Sequence, residues 1–376
     1  MLSEEQLLVR DTARGFSDAR LAPGAAARAA AGEIEPEVRR ELAELGFLGM
    51  TIAPEKGGAG ADCVSYALAL MEIARGDGAV STMVSVHNAP FLAILDRFGS
   101  PEQQERWLRP GAAGDFIGCF ALTEPQAGSD AAALRTRAKR RGNGWVVNGR
   151  KEFVSSARIG GATILFAVTD PEAGRKGISA FIAANDAPGL VVQKPERKAG
   201  QWASDTCAIV FEDLELDADA LIGEEGRGYA IALSSLETGR IGIAAQSVGM
   251  AQAAFEHALA YAQERETFGK PIFAHQAVQF RLAEMDAAIE AARQLALNAA
   301  RLKDAGRPCL REAAIAKLVA SETAEKVCSA AIQTLGGAGY LADHPVERIW
   351  RDARVCQIYE GTSDIQKIII ARQMAR

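Results

Sequence analysis

The residue pattern of this chain changes twice, and these two changes limit its possible folds more than any other feature. Residues 1–116 are rich in alanine and leucine at helical spacing, whereas residues 117–223 carry short runs of β-branched and aromatic residues between turns. Helical spacing returns in residues 224–376. We therefore predict three domains with these limits: an N-terminal helical domain, a central β domain and a C-terminal helical domain.

Several local signals predict where elements begin and turn. Ser3, with Gln6 three residues later, has the spacing of a capping box, and Ser100 before a proline is a favourable helix start. The Asn-Gly pair at 148–149, between β-prone residues, predicts a hairpin turn. Long helices are expected at roughly 227–263, 275–304 and 310–335. In the middle one, a buried face is marked by Leu282, Met285, Ile289, Ala292, Leu295 and Leu302.

The composition excludes several classes of protein. Hydrophobic residues make up 48% of the chain and charged residues 24%, which is typical of a soluble globular protein. The net charge of −6, without a run of lysine or arginine, does not fit a nucleic-acid binder. No apolar run is long enough for us to expect a helix that spans a membrane.

The N-terminus and the cysteines bear on the compartment. The first residues are acidic and lack the basic-then-apolar order of a secretory signal. The six cysteines are scattered, without a C-x-x-C pair, and are expected to be reduced and buried. We expect a cytoplasmic protein, although a mitochondrial matrix protein after processing has the same features.

Motifs for several common catalytic chemistries are missing. The four histidines show no H-E-x-x-H or other metal spacing, and there is no G-x-S-x-G nucleophile elbow. Gly269-Lys270 lacks the earlier glycine of a phosphate loop, and LGGAGY at 335–340 follows a helix rather than a strand, unlike a Rossmann fingerprint. Metal-dependent hydrolysis, serine hydrolysis and nucleoside triphosphate chemistry are therefore not expected, and no metal site is predicted.

Two segments of the β domain carry groups suited to a cofactor. In FALTEPQAGSD, Thr123 and Ser129 are hydroxyl donors and Gly128 permits close backbone approach; an ordinary polar turn is the alternative. In EFVSSA, Phe153 and Ser155 fall on one strand face, which suits a stacked aromatic ring or simply an ordinary strand.

Three segments of the C-terminal region each have two interpretations. Arg265, before a Gly-Lys-Pro break, is either an anion ligand or a solvated charge at a helix end. Glu237 and Arg240 share a helix face, as a surface ion pair or as ligand contacts. Glu360, in CQIYEGTSD, is either a carboxylate at a helix start or the base of an active site.

Taken together and in order, these segments resemble the acyl-CoA dehydrogenase family over essentially the whole chain. ALTEPQAGSDAAA resembles one family signature and QTLGGAGYLADHPVERIWRDARVCQIYEGTSDIQ resembles the other, with R-x-T-F-G-K between them as in the family. The resemblance implies an N-terminal helical domain, a central β-barrel-like domain and a C-terminal four-helix bundle. It also implies FAD as the cofactor and a homotetramer built as a dimer of dimers.

The resemblance also implies roles for individual residues. In the β domain, FAD contacts are implied for Phe120, Leu122, Thr123, Gly128, Ser129, Phe153 and Ser155. Contacts to the FAD of a neighbouring subunit are implied for Arg265, Thr267, Phe268, Gln276, Gln333, Gly336 and Gly337. Further cofactor contacts are implied for Thr362 and Asp364, and substrate contacts for Ser129, Glu237, Arg240 and Gly361.

The implied reaction is α,β-dehydrogenation of an acyl-CoA thioester to the trans-2-enoyl-CoA, with electrons passed to electron-transfer flavoprotein. Glu360 is implied as the base, because the other position used in the family, immediately before Arg240, holds Gly239. Its pKa should rise when substrate excludes water. A short straight or short branched acyl group is expected. The alternatives are an oxidase or desulfinase-like flavoprotein on the same fold, or a helical scaffold that has lost its flavin.

A few positions depart from the family pattern or need a separate interpretation. Phe153 stands where tryptophan is common, Ser155 where threonine is more usual, and Trp202 where relatives often have a smaller or basic residue. The segment 81–91 matches the helix that lines the acyl pocket in relatives. Within it, His87 is expected to make a structural polar contact rather than to act in catalysis.

Overall fold

Helices form the first third of the computed structural model, which describes residues 2–374. The predicted capping box is confirmed at the first helix, where Ser3 Oγ accepts from the N–H of Gln6 at 3.1 Å. Ser100 caps a later helix in the same way, also as predicted. The helices are α1 (Glu4–Phe16), α2 (Ala22–Ala31), α3 (Pro36–Glu44), α4 (Cys63–Gly76), α5 (Gly78–Val86), α6 (Ala93–Phe98), α7 (Pro101–Gln103) and α8 (Arg109–Ala113).

The central region is a sheet that curves around its own core. Its strands are β1 (Ile117–Ala121), β2 (Arg137–Arg141), β3 (Gly144–Ser155), β4 (Gly160–Val168), β5 (Ile178–Ala184), β6 (Leu190–Pro195), β7 (Thr206–Leu216) and β8 (Leu221–Ile222). The order is β6-β7-β3-β2-β4-β5-β8, and β1 pairs in parallel with β4. The two edge strands, β6 and β8, do not pair with each other, so the sheet is not a closed barrel. Across its inner side, however, the ring of Trp145 on β3 packs on that of Phe181 on β5, with 5.2 Å between ring centroids. The domain is therefore barrel-like in its packing.

The predicted hairpin turn at 148–149 is wrong. Strand β3 runs through this pair, and the turn from β2 lies instead at 142–143. Gly149 has φ +151° and marks a register shift against β7. A Cβ there would lie 2.4 Å from Thr136 Oγ1. The glycine therefore permits a close backbone approach, which the Asn-Gly signal does not distinguish from a turn.

Three long helices dominate the C-terminal region and confirm the predicted ranges to within one residue. The elements are α9 (Gly228–Glu264), β9 (Glu266–Thr267), β10 (Lys270–Pro271), α10 (Gln276–Asp304), α11 (Leu310–Leu335), α12 (Pro345–Ala353) and α13 (Ser363–Met374). Helices α9, α10 and α11 pack on one another, while α12 and α13 lie against α11. The predicted domain limits fall between α8 and β1 and between β8 and α9.

The N-terminal and C-terminal helices share one hydrophobic core. Helix α4 packs against α9 and α10, and Leu70, Ile243 and Leu297 from these helices belong to the same buried cluster. At the start of α4, the N–H of Cys63 donates to the carboxylate of Asp304, at the end of α10, at 2.7 Å. The helical regions are separate in sequence but form one packed unit.

One segment of this unit is apolar enough to cross a membrane, contrary to the expectation from sequence. It spans Gly78–Phe98, but 89% of its most apolar window is buried inside the protein. Burial of this kind is typical of a core helix. All six cysteines are free and buried, as predicted.

Candidate active site

Glu360 lies in an irregular segment just before α13 and has an unusual backbone conformation. Its φ is +55°, a left-handed conformation that costs a non-glycine residue roughly 1–3 kcal/mol and is concentrated at functional sites. Gln366 supports this turn, since its Nε2 donates to the carbonyl of Glu360 at 3.2 Å and to that of Gly361 at 2.7 Å. The strained turn is thus held by a buried side chain.

Glu360 is not a carboxylate at the start of a helix. Thr362 caps α13, because its Oγ1 accepts from the N–H of Ile365 at 3.3 Å. The carboxylate of Glu360 instead lies against α9. A Cβ built on Gly239 would be only 2.6 Å from Glu360 Oε2. The two positions considered for the base therefore share one space, and in this chain Glu360 fills it.

The surroundings of this carboxylate favour its neutral form. Oε2 of Glu360 is inaccessible to solvent and has no hydrogen-bond partner within residues 2–374, although the residue as a whole keeps some exposure. Burial raises the pKa of Glu360 to about 7, against the opposing influence of Arg240 and Lys317. A carboxylate that titrates near neutral pH has the proton affinity required of a general base.

Arg240 is a buried cation without a fixed partner. Its Nε and Nη1 are inaccessible and make no hydrogen bond to any described residue. Burial lowers the pKa of Arg240, while the carboxylates of Glu360 and Glu237 raise it. Because an unpaired buried charge is costly, these donors are suited to a polar group brought by a ligand.

Lys317 is a second buried cation at this site, and the sequence analysis missed it. It projects from α11, and its Nζ donates to the carbonyl of Gly361 at 2.8 Å. Burial lowers the pKa of Lys317 to about 8, so it remains mostly charged at pH 7. The sequence carried one signal, because Ala313 and Ala320 place Lys317 on the apolar face of the helix. A lysine in that register needs a polar partner.

A buried chain of hydrogen bonds connects Tyr359, next to the base, to the β domain. Tyr359 OH donates to Gln246 Oε1, and Gln246 Nε2 donates to Thr82 Oγ1, both at 2.6 Å. Thr82 Oγ1 donates to Gln201 Oε1 at 2.6 Å, and the N–H of Gln201 donates to Asp352. A buried network with paired groups is rigid. It therefore fixes the position of the base relative to the sheet.

The predicted cofactor loop after β1 is fastened to β3. The carbonyl of Thr123 accepts from the N–H of Glu152 at 2.8 Å. Behind the loop, Lys151 donates to the carbonyl of Leu122 at 3.1 Å and to the carboxylate of Glu124 at 2.7 Å. The Lys151–Glu124 pair is fully buried. It was not predicted, and it leaves the side chain of Thr123 free to face outward.

The strand beside this loop exposes an aromatic ring. Phe153 has φ +58° and is 66% exposed, next to a bulge between β3 and β7. Ser155 is partly exposed on the same strand. Phe120 is half-buried, with its ring 5.2 Å from that of Phe166. Loop and strand together bring the β-domain residues of the predicted site to one place.

A second set of predicted residues lies at the far end of the helical bundle. Strands β9 and β10 form a hairpin with Phe268-Gly269 at its tip, and φ values of +53° and +77° match a type I′ turn. Phe268 is 95% exposed. The hairpin leads into α10, where Arg281 Nη1 donates to Thr334 Oγ1 at the end of α11 at 3.5 Å. This contact brings the hairpin end of α10 near Gln333, Gly336 and Gly337.

The two sets are far apart within one chain. Lys317, which contacts the segment of the base, and Gly336 lie 19 residues apart along α11, or about 28 Å at 1.5 Å per residue. The predicted site residues therefore form two separate clusters. The first contains Arg240 and the segment 360–364, and the β-domain residues are grouped with it as the family resemblance implies; the second contains Arg265, Thr267, Phe268, Gln276, Gln333, Gly336 and Gly337.

The exposed groups in both clusters fit FAD. Within the described chain, six side chains expected to contact FAD make no hydrogen bond or ion pair: those of Thr123, Ser129, Ser155, Arg265, Gln276 and Gln333. A Cβ built on Gly128, Gly336 or Gly337 meets nothing within 4 Å. Side-chain donors without a partner and glycine backbone that a ligand can approach closely suit the pyrophosphate of FAD, and the exposed ring of Phe153 suits its flavin ring. Thr362 and Asp364 have local partners, Ile365 and Lys367.

Glu237 and Arg240 do not form the surface ion pair considered from the sequence. Glu237 contacts Lys303 instead, at 3.3 Å, and accepts from the Cys309 thiol at 3.2 Å. Glu237 therefore lies toward the loop between α10 and α11, whereas Arg240 is buried beside the base.

His87 and Trp202 both have structural roles. His87 Nδ1 accepts from the N–H of Gly118 at 2.9 Å and its Nε2 bonds the carbonyl of Gly111, which confirms the predicted polar contact. Burial lowers the pKa of His87 to about 4, so it stays neutral. The ring of Trp202 lies 4.2 Å from the guanidinium of Arg351, a cation–π contact that explains how this position accepts an indole.

Comparison with known proteins accounts for the whole chain. Three family models match: acyl-CoA dehydrogenase N-terminal domain over residues 3–115, middle domain over 119–214 and C-terminal domain over 226–375. The chain is 44% identical to the mitochondrial short-chain specific acyl-CoA dehydrogenase of Rattus norvegicus over 375 residues, covering 100% of this chain and 91% of the relative.

Two solved structures are similar along their full length. Butyryl-CoA dehydrogenase from Megasphaera elsdenii has a TM-score of 0.98 and 38% identity, covering 100% of this chain and 99% of that one. A structure described as electron transferring flavoprotein of Acidaminococcus fermentans has a TM-score of 0.99 and 40% identity, with the same coverage. The chain belongs to the acyl-CoA dehydrogenase family.

Proposed function

We propose that this protein is an FAD-dependent acyl-CoA dehydrogenase that acts on short acyl groups. One observation carries the proposal: Glu360, whose pKa is raised by burial to about 7, lies near two buried cations and has one carboxylate oxygen unpaired. Removal of a weakly acidic proton next to a thioester carbonyl requires such a base. The named relatives act on short-chain substrates or butyryl-CoA, which supports the short acyl group.

In the proposed mechanism, Glu360 takes the α-proton of the acyl group onto a carboxylate oxygen. The backbone N–H of Glu360 donates to no acceptor in residues 2–374, so it can donate to the thioester carbonyl. Charge that develops on that oxygen is stabilised by this donor and by the nearby charge of Arg240. When bound, FAD supplies the oxidant that accepts the β-hydrogen.

The chain offers residues for both ends of FAD. Phe153 and Ser155 would lie against the flavin ring, and the loop with Thr123 and Ser129 would donate to the flavin and pyrophosphate. The glycines at 336–337 lie about 28 Å along α11 from Lys317, which contacts the segment of the base, and this separation supports their binding the FAD of a neighbouring subunit. We therefore propose an oligomer, and a homotetramer as in the family.

The shared site can be tested by mixing two inactive variants. Glu360→Gln removes the base, and Arg265→Ala removes a donor of the second cluster. If one FAD site uses both subunits, co-expression of the two variants restores part of the activity, because some sites receive Glu360 from one chain and Arg265 from the other. Activity that stays absent in verified mixed oligomers would contradict the shared site.

The reaction itself can be tested by anaerobic addition of acyl-CoAs of graded length. We expect the yellow flavin to bleach rapidly with butyryl-CoA and slowly with octanoyl-CoA. No bleaching by any acyl-CoA would refute the proposed function. A colourless protein that does not take up added FAD would point instead to a scaffold that has lost its flavin.

Electron-transfer flavoprotein is proposed as the acceptor, supported by the structure described under that name. A bleached sample should be reoxidised much faster by electron-transfer flavoprotein than by oxygen. Fast reoxidation by oxygen alone would favour an oxidase. A role in fatty acid β-oxidation and a cytoplasmic location remain proposals; six free cysteines are compatible with a reducing compartment.

A further inference from the structure

Tyr66 occupies a place near the base that the proposed mechanism does not use. It lies on α4, is completely buried, and its hydroxyl is 3.3 Å from Ser85 Oγ on α5. A Cβ built on Gly242 of α9 would lie 2.7 Å from the Tyr66 hydroxyl and 2.8 Å from Ser85 Oγ. The tyrosine therefore fills the space over Gly242, just as Glu360 fills the space over Gly239.

These two glycines show that the base and the tyrosine pack on the same face of α9. Gly239 and Gly242 are three residues apart on α9, so their side-chain positions are neighbours on one helix face, about 5–6 Å apart. The Tyr66 hydroxyl and the Glu360 carboxylate therefore lie over neighbouring positions of α9. Burial raises the pKa of Tyr66, and the Glu360 carboxylate makes a smaller contribution in the same direction.

The direction from Glu360 toward Tyr66 leads into the protein. Every residue of α9 from 239 to 251 is buried, whereas residues 236–238, on the other side of the base, keep partial exposure. A bulky, charged CoA must lie on the accessible side. An acyl group with its α-carbon at Glu360 must therefore extend its tail toward Gly242.

We propose that Tyr66, packed over Gly242, closes the inner end of the acyl-binding space and sets the upper limit on acyl length. This inference rests on the proposed function. An acyl chain needs about 3.5–4 Å of van der Waals separation from the tyrosine, so the ring, which lies over the neighbouring position of α9, stops a long acyl tail from running further along this face of the helix. Leu70, which also approaches Gly242, completes this wall.

The test compares Tyr66→Ala with Tyr66→Phe in the FAD-loaded full-length protein. Anaerobic bleaching rates with butyryl-, hexanoyl- and octanoyl-CoA give a chain-length profile for each variant. Loss of the ring should raise the octanoyl-to-butyryl rate ratio by about tenfold or more, since even one methylene changes discrimination by about 10–200-fold. Tyr66→Phe keeps the ring and should keep the wild-type ratio.

Gly242→Ala provides a second arm that does not depend on Tyr66→Ala folding. Its methyl group would lie 2.7 Å from the Tyr66 hydroxyl, so the tyrosine must shift; a shift toward the acyl-binding space should reduce hexanoyl-CoA bleaching more than butyryl-CoA bleaching. An unchanged length profile in FAD-loaded Tyr66→Ala, or an equal loss for both substrates in Gly242→Ala, would overturn the inference. Either result leaves the proposed function intact, whereas wild-type protein that no acyl-CoA bleaches would overturn the function itself.

Discussion

Glu360 and Phe268 have nearly the same φ but opposite surroundings. Their φ values are +55° and +53°, both unfavourable for a side chain with a Cβ. Glu360 is held by Gln366 and packed over Gly239, whereas Phe268 is 95% exposed at the tip of a two-residue turn. The first residue is positioned by its own chain. The second is exposed, and under the proposed function it would contact the cofactor or another subunit.

This contrast divides the site into a self-contained half and an open half. The base, Arg240 and Lys317 have their electrostatic surroundings within one chain, so variants there should change chemistry and leave assembly unchanged. The hairpin and the turn at 336–340 present exposed groups, including Phe268 and an 84% exposed Tyr340. Variants there should change cofactor retention or assembly and leave the stability of the subunit unchanged.

The strongest test of the self-contained half is Glu360→Gln. We expect the anaerobic bleaching rate to fall by about 10²–10⁴-fold, the usual contribution of a general base, with FAD content unchanged. Glu284→Gln, on an exposed face of α10, serves as the matched control and should bleach normally. Near-normal bleaching of Glu360→Gln would place the base elsewhere.

Gly239→Ala should cause the next largest fall in the bleaching rate. Its methyl group would lie 2.6 Å from Glu360 Oε2, so the carboxylate must move. A displacement of about 1 Å in a catalytic group can cost about 10²-fold in rate. Stopped-flow bleaching with butyryl-CoA measures this loss, while FAD content should stay as in wild type. A rate within twofold of wild type would mean that the carboxylate leaves α9 before it reacts.

Lys317→Met should shift the pH profile of bleaching rather than abolish it. The buried ammonium favours the ionised form of Glu360, so its removal should raise the pKa of that carboxyl above about 7. A rise of about one unit would reduce the rate roughly fivefold at pH 7 and hardly at all at pH 9. Lys326→Met, on the exposed face of α11, is the control. An equal loss at every pH would assign Lys317 a purely structural role.

Phe268→Ala should have the smallest effect on the subunit itself. Because the ring is almost fully exposed, the free energy of unfolding should change by less than about 0.5 kcal/mol. The dissociation constant of FAD, or that of the oligomer, should rise roughly tenfold, which corresponds to about 1.4 kcal/mol of binding free energy. Equilibrium dialysis of FAD and sedimentation velocity separate the two. Loss of thermal stability in the isolated subunit would show that the hairpin belongs to the self-contained half.

The sequence was most informative where periodicity and caps act locally. It predicted α9, α10 and α11 to within one residue, because long amphipathic segments define their own limits. It failed at Gly149, since an Asn-Gly pair is equally compatible with a turn and with a close strand crossing. It missed Lys317 because a single lysine in a helix is usually solvated, and its register on the apolar face of α11 was a weak signal that the three-dimensional packing makes plain.

The proximity of residues distant in sequence could not be predicted. Gly239 and Glu360 compete for one space although 121 positions separate them. Tyr66 and Gly242 meet for the same reason, through packing of α4 on α9. The division of predicted site residues into two clusters also required the length of α11.

The contact between Cys63 and Asp304 has a consequence for how the protein is made. These residues are 241 positions apart, so helix α4 leaves the ribosome long before its partners α9 and α10 exist. At about 5–20 residues per second, this interval lasts about 12–50 s. During that time the face of α4 that packs on α9 and α10 has no permanent cover, although α1 and α5 already lie against the helix. The nascent N-terminal half is therefore expected to depend on chaperones until the C-terminal helices emerge.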